Sequence, residues 1–321
     1  MSSTRMPLLL GTGLTGLPGS PGRFSDAAEI QKWIDVLVEH GYPYIDCARV
    51  YGNGTAEELL SKLDLKGSQV DTKILPQTPG DHAPEKLKTT FSLSLAALGP
   101  NIKIRVFYLH APDRSVPFED TLEAVNDLYK QGLFHEFGLS NYMAFEVAEI
   151  VGICKRRGFV PPTVYQGVYN MLFRGPEAEL FPCLRKFGIK FAAYSVLAGG
   201  LLTGKYIDNA TPAPGSHFDP NWRLGGFYAA RFGHAMQAIK KVKEIAEKHN
   251  LQLTDVAYRW LVHHSAMVPE DHGIIVGGNN VSQIEKAIVE CEKGPLPEEV
   301  VAVCEETWNE VKGAVTANYW V

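Results

Sequence analysis

The sequence predicts an α/β protein built on a parallel sheet, and three observations carry that prediction. Eight short apolar runs recur along the chain, most of them continuous rather than alternating, as strands buried on both faces must be. Amphipathic stretches with helical spacing lie between them. Nearly every run ends in a residue able to hydrogen-bond or titrate. Two architectures satisfy these observations, a closed (β/α)8 barrel and a doubly wound open sheet. The 321 residues fit one barrel domain spanning 1–321, because no repeat, low-complexity tract or linker divides them.

In chain order, strands are expected at Pro7–Leu10, Tyr44–Asp46, Val70–Lys73, Ile104–Leu109, Glu136–Leu139, Thr163–Gln166, Lys190–Tyr194 and Gly273–Val276. Ile30, Trp33, Ile34 and Leu37 share one helical face between the first two, with Ser25 or Asp26 as the cap. Leu87, Phe91, Leu95 and Leu98 mark the next helix, which Gly99-Pro100 stops. Leu122, Val125, Leu128 and Tyr129 mark another, as do Ile284, Ala287, Ile288 and Cys291. The open sheet has one specific point in its favour. Gly11-Thr-Gly13-Leu-Thr-Gly16 matches the GxGxxG dinucleotide motif and follows a strand. That motif must open a helix whose amino terminus meets a pyrophosphate. Pro18, Gly19, Pro21 and Gly22 follow instead, which no helix tolerates.

Composition excludes several function classes. A net charge of -5 argues against nucleic acid as a partner, while local donors can still hold an anionic cofactor. The five cysteines are scattered with no CxxC pair, which suits free thiols in a reducing compartment. The apolar run in MSSTRMPLLL is too short for a signal peptide. The longest apolar stretch, Phe191–Leu202, is interrupted by Ser195, Gly199 and Gly200, so no membrane span and a cytoplasmic protein are expected. His263-His264 lacks the spacing of a zinc site, no Cys/His cluster offers metal ligands, and no metal is expected. Ser140 lacks the second glycine of a nucleophile elbow. Cys47, the neighbour of Asp46 in a buried strand, should point away and stay inert.

In a barrel, chemistry sits at the carboxyl ends of the strands. Those ends read Gly11-Thr12, Asp46, Lys73, His110, Ser140-Asn141, Gln166, Tyr194-Ser195 and Gly277-Gly278. Four residues there suit carbonyl reduction, which needs a proton donor beside the developing alkoxide and a group that orients the carbonyl. Tyr51 supplies an acidic proton, and an adjacent Lys73 ammonium is expected to lower its pKa. Asp46 would hold the ammonium, and His110 would orient the carbonyl. Taken singly, each also reads as a helix cap, a packed aromatic, a surface charge or a loop histidine, and spacing alone does not choose.

The run Tyr44-Ile-Asp46-Cys-Ala-Arg-Val-Tyr51-Gly-Asn-Gly resembles the signature of the aldo-keto reductases. Tyr108-Leu-His110-Ala-Pro-Asp113, Gly138-Leu-Ser-Asn-Tyr142, Thr163-Val-Tyr-Gln-Gly167 and Leu197-Ala-Gly-Gly-Leu-Leu-Thr-Gly-Lys-Tyr206 resemble their aflatoxin-aldehyde reductase branch, and the similarity runs from about Leu8 to Tyr319. The resemblance implies a (β/α)8 barrel with a long loop after strand 7 and a carboxy-terminal tail near the mouth. It also implies NADPH as cofactor, and a homodimer. The family's catalytic tetrad falls on Asp46, Tyr51, Lys73 and His110. Ser140, Asn141 and Gln166 match the residues that hold the nicotinamide carboxamide, and Tyr194 the aromatic stacked on its ring. Ser195, Leu197, Gly199 and Lys205 match positions around the pyrophosphate. Gly277, Asn279 and Gln283 match the segment that receives the adenosine and its 2′-phosphate.

Two positions depart from the family pattern. Lys286 and Ala287 replace residues that commonly meet the adenine, and Lys286 is a candidate for the 2′-phosphate. The tail ends Asn318-Tyr-Trp-Val321, without the arginine that meets a substrate carboxylate in relatives reducing succinic semialdehyde, although Arg231 matches another arginine near that site. The expected substrate is therefore a larger or more apolar aldehyde or ketone. Thr203–Tyr228, rich in Pro, Gly and aromatics, is expected to be a loop that helps bind it. Phe218, Trp222, Phe227, Tyr228, Tyr319 and Trp320 are candidates to line the entrance. The resemblance leaves two other functions open. One is a cofactor-bearing partner with little turnover, as in the potassium-channel β subunits; the other is a reductase dedicated to one pathway of specialised metabolism.

Overall fold

The structure is a computed structural model that describes residues 5–207, 211–212, 214–222, 225–315 and 318–320. The amino-terminal Met1–Thr4 and the terminal Val321 lie outside the described residues, as do 208–210, 213 and 223–224 of the expected loop.

Eight parallel strands close into a barrel in the order β1 to β8. They are β1 (Leu8–Gly11), β2 (Tyr44–Asp46), β3 (Gln69–Ile74), β4 (Ile104–Leu109), β5 (Phe134–Ser140), β6 (Pro162–Val168), β7 (Lys190–Tyr194) and β8 (Gly273–Val276). Closure rests on Leu8, Leu9 and Leu10 pairing with Ile274, Ile275 and Val276. This settles the choice between the two architectures, and the reason is local: Gly11 is followed by turns, and the first helix opens only at Ala27.

The helices wrap the outside. They are α1 (Ala27–Glu39), α2 (Thr55–Leu60), α3 (Pro84–Leu98), α4 (Phe118–Lys130), α5 (Ala144–Arg157), α6 (Leu180–Phe187), α7 (Gly225–Phe232), α8 (Ile239–Lys248), α9 (Leu253–His263), α10 (Val281–Glu292) and α11 (Glu298–Val311). In α1 the Asp26 carboxylate accepts from the amides of Ala28 and Glu29, satisfying two of the four free donors of the first turn. Its buried stripe is the one read from spacing, Ile30, Trp33, Ile34 and Leu37. Each such side chain contributes about 1.5–3 kcal/mol by leaving water. Gly99, at a φ of 75°, ends α3.

Two expectations are corrected here. The connection after β7 is not a continuous loop to Tyr228, since α7 begins at Gly225; Gly225-Gly226 at its start masks the helix in a propensity reading. Phe218 does not line the entrance either: it is buried beside Tyr206, ring centroids 5.0 Å apart. Inside the barrel, Val106, Tyr108 and Val164 form their own apolar cluster. Gly138 makes room for it, because a Cβ there would overlap the Tyr108 ring.

Candidate active site

The barrel brings the polar strand ends together. Lys73 near the end of β3 places Nζ 2.6 Å from Oδ1 of Asp46, the last residue of β2. The same ammonium donates to the carbonyl of Cys47 at 2.7 Å. Gln166 on β6 reaches across the barrel, and its amide donates to Asp46 Oδ1 at 2.7 Å. Lys73 Nζ lies 5.3 Å from the centroid of the Tyr51 ring. The His110 imidazole stands edge-on to Tyr51, centroids 5.9 Å apart at 83°. Asp46, Lys73, Tyr51 and His110 thus share one pocket at the carboxyl ends of β2 to β4.

The electrostatics differ from expectation in one respect. Burial pushes the Tyr51 phenol well above its ordinary value of 10, and the Asp46 carboxylate pushes the same way. Lys73 does not bring the phenol below its ordinary value as expected, because burial outweighs an ammonium that sits over the ring. Burial also raises the Asp46 carboxyl, with Lys73 pulling against it. Burial and the Lys73 ammonium hold His110 well below 6.5, so its ring is neutral near pH 7. Its Nδ1 is buried with no partner among the described residues. A buried donor without a partner is costly, so we assign the proton to Nε2, leaving Nδ1 as the bare acceptor. Cys47 is fully buried and its thiol is pushed up to about 12, which keeps it inert.

A second group of side chains forms the rim. Asn141, at a left-handed φ of 64°, ties three strand ends together. Its amide donates to the carbonyl of His110 and to Ser140 Oγ, both at 2.9 Å. Its oxygen accepts from the Tyr194 hydroxyl at 2.8 Å. Ser195 (φ 57°) and Ala198 (φ 50°) repeat the left-handed conformation after β7, and such strain in non-glycine residues persists only where the surroundings impose it. A 3-10 turn follows Leu197, with Gly199 and Gly200 at positive φ. A Cβ on Gly199 would overlap the Tyr228 ring, so only glycine admits that contact. Lys205 is exposed just beyond. After β8, Gly277 leads to α10, which Asn280 caps by accepting from the Gln283 amide at 3.0 Å. The Gln283 side chain accepts in turn from the Asn279 amide at 2.9 Å.

Several candidates fall differently from the sequence reading. Lys286 is not free for a phosphate: it pairs with Asp255 at 2.9 Å and donates to Gln252 at 2.6 Å. Tyr319 does not face an open entrance. Its ring is buried, and its hydroxyl accepts from the Ala144 amide at 3.1 Å and donates to Glu179 at 3.3 Å, which pins the tail to α5. Arg231 on α7 is buried between the rings of Phe227 and Phe173, at 4.4 and 5.1 Å. Its Nη2 donates to the carbonyl of Asn318 at 2.8 Å, while Nε and Nη1 have no partner among the described residues. Trp222 and Tyr228 do pack together at the mouth, and His217 joins them with centroids 5.1 and 4.5 Å away. His217 was not singled out from sequence.

Asp113, whose role the sequence pattern alone does not reveal, joins two loops at the mouth. Its carboxylate accepts from the amides of Gly80, His82 and Ser115 and from Ser115 Oγ, at 2.6 to 3.1 Å, binding the loop after β3 to the loop after β4. No group of three or more His, Cys, Asp or Glu side chains suited to a metal occurs among the described residues.

Fold and site together define the class: a (β/α)8 enzyme with an ionisable constellation at its carboxyl face. The chain belongs to the aldo/keto reductase family, whose profile matches residues 7–309. That family is one of oxidoreductases, generally working with a nicotinamide cofactor. The chain is similar to an aldo-keto reductase of Pseudocercospora fijiensis, 42% identical over 87% of this chain and 97% of that protein. It is 38% identical to the aldo-keto reductase pigE of Monascus ruber, covering 98% of each. It is also 38% identical to aflatoxin B1 aldehyde reductase member 2 of Mus musculus, over 90% of this chain and 83% of the relative.

Proposed function

We propose that the protein reduces an aldehyde or ketone to an alcohol with NADPH, and that Tyr51 is the proton donor. The observation that carries this reading is the buried Lys73–Asp46 pair, 2.6 Å apart, beneath the Tyr51 ring with His110 beside it. A phenol raised above 10 keeps its proton in the resting site. It still yields that proton to an alkoxide, which is a stronger base than a phenolate, and the Lys73 ammonium stabilises the phenolate as it forms. The neutral His110 directs Nε2–H at the carbonyl oxygen and holds it toward Tyr51.

The donor set fits a dinucleotide. Amide side chains crowd the inner rim, glycine-containing turns follow β7 and β8, and Lys205 supplies an exposed ammonium. Ser140, Asn141 and Gln166 would hold the carboxamide, Tyr194 the ring, Ser195, Leu197, Gly199 and Lys205 the pyrophosphate, and Gly277, Asn279 and Gln283 the adenosine end. Bound there, the cofactor supplies the hydride. Trp222, Tyr228 and Arg231 would form the substrate wall, suited to a carbonyl larger than a short acidic aldehyde. Names of relatives such as aflatoxin B1 aldehyde reductase support an aldehyde substrate. The five free thiols suit the reducing cytoplasm, and a homodimer is proposed on the family likeness.

The test is NADPH consumption over a panel of aldehydes and ketones, run with wild type and Tyr51→Phe. Wild type should turn over, and the variant should bind NADPH yet lose about 10²- to 10⁴-fold in kcat. NADPH binding without turnover by wild type across the panel would favour the cofactor-bearing partner. Failure to bind NADPH would overturn the reading, and succinic semialdehyde as the best substrate would overturn the substrate assignment.

A further inference from the structure

Tyr51 opens a 3-10 turn, Tyr51–Gly54, in which Gly52, Asn53 and Gly54 have φ of 56°, 54° and 90°. No hydrogen bond reaches its hydroxyl among the described residues, so the ring's position depends on how the segment before it is anchored. The anchor is Arg49. Its backbone amide donates to the carbonyl of Lys73 at 2.9 Å, and its guanidinium donates to Glu57 Oε2 at 2.8 Å. Glu57, on α2, is fully buried, and its other oxygen accepts from Thr72 Oγ1 at 2.6 Å. Thr72 immediately precedes Lys73 on β3. One buried carboxylate therefore joins the segment that carries Tyr51 to the strand that carries Lys73. Gly54 completes the fit, because a Cβ there would overlap the Arg49 guanidinium. A carboxylate this deep is tolerated only when its oxygens are paired, and that requirement fixes both partners at hydrogen-bond distance.

We propose that Glu57 is a positioning residue for the reduction, acting on Tyr51 through Arg49 and Thr72. The proposal rests on the reading of Tyr51 as proton donor, and the two fail in different ways. Glu57→Gln keeps the shape and the acceptor for Thr72, but turns an amide N–H toward the Arg49 guanidinium. Because a shift of about 1 Å in a reacting group costs up to about 10²-fold, kcat should fall by about 10- to 10²-fold. The NADPH dissociation constant, read by cofactor fluorescence, should not change.

The decisive measurement is the same substitution in Tyr51→Phe. There the proton donor is already gone, and Glu57→Gln should lower the residual rate by no more than about two-fold. An equal loss in both backgrounds would overturn the proposal, since the carboxylate would then support the site as a whole. A folded Glu57→Gln with wild-type kcat would also overturn it. Should Glu57→Gln fail to fold, Thr72→Val cuts the other link, and the same cycle applies with a loss of about a few-fold. Absence of turnover by wild type would instead defeat the parent reading and this proposal together.

Discussion

Asp46 and Asp71 are register partners on β2 and β3, both buried, and their carboxyls are shifted in opposite directions. Burial alone would raise Asp71, but Arg105 overrides it through two hydrogen bonds, Nε at 2.8 Å and Nη2 at 2.6 Å, and holds the carboxyl below its ordinary value. His272, just before β8, closes the cluster at 2.8 Å from Arg105 and 3.2 Å from Asp71. The contact spans β4 and β8, which are not neighbours, so the cluster plugs the barrel interior toward the amino-terminal strand ends. No fully buried side-chain nitrogen or oxygen in it lacks a partner. Asp46 has one ammonium, shared with the Cys47 carbonyl, and one neutral amide donor from Gln166, and burial wins. Other groups at the mouth are left incomplete among the described residues, as the bare Nδ1 of His110 and two unpartnered nitrogens of Arg231 show. Full pairing below serves stability; incomplete pairing above leaves both an acceptor and donors for a ligand.

The comparison can be broken at either end, and the larger effect is expected below. Asp71→Asn leaves a buried guanidinium without its carboxylate, which costs about 3–5 kcal/mol of stability by denaturant titration. The protein that remains folded at low temperature should retain kcat within about three-fold of wild type, the residual coupling expected between neighbouring clusters. If activity disappears while stability holds, the two clusters are one catalytic unit and the contrast fails. His110→Ala should show the reverse. It removes the proposed donor to the carbonyl, so kcat/KM should fall by about 10²- to 10³-fold. Stability should change little, because the substitution also deletes an orphaned polar atom. The shift of His110 below 6.5 adds that wild-type kcat shows no inflection from this ring between pH 6.5 and 8. An inflection lost in His110→Ala would show that the ring titrates there after all.

Much of the upper cluster was legible in the sequence, and the reason is geometric. A buried strand is a short apolar run, so the place where it ends can be read directly, and in a closed barrel the residues at those ends share one mouth. Asp46, Lys73, His110, Asn141 and Tyr194 follow from that rule. The lower cluster was not legible. Arg105 interrupts the apolar run Ile104–Leu109, a usable signal, but its partners lie 34 and 167 residues away. One extra residue on β4 between Val70/Ile104 and Thr72/Phe107 also shifts the alternation that would tell which way it points. The direction of the Tyr51 shift is hidden for a related reason: a sequence names the nearby charge but not the depth at which burial outweighs it.

A finer test concerns a titrating group that belongs to neither cluster. His217 packs its ring on Trp222 and Tyr228, and burial, with Arg23 nearby, pushes its imidazole down to about 4 from 6.5. Between those two values the unfolded chain takes up a proton that the folded protein refuses. His217 therefore costs nothing above pH 6.5 and destabilises progressively as pH falls toward 4. Discounted for partial exposure, the penalty at pH 5 is about 1 kcal/mol. His217→Phe keeps an aromatic ring and removes the titration. Its stability relative to wild type should improve by that amount between pH 7.5 and pH 5, measured by urea unfolding at each pH. The other histidines held low by burial, His82, His110, His234 and His264, titrate in both proteins and cancel from the difference. A gap that does not move with pH would mean that the imidazole is solvated. The Trp222–Tyr228 wall would then be open to water rather than a dry surface for an apolar substrate.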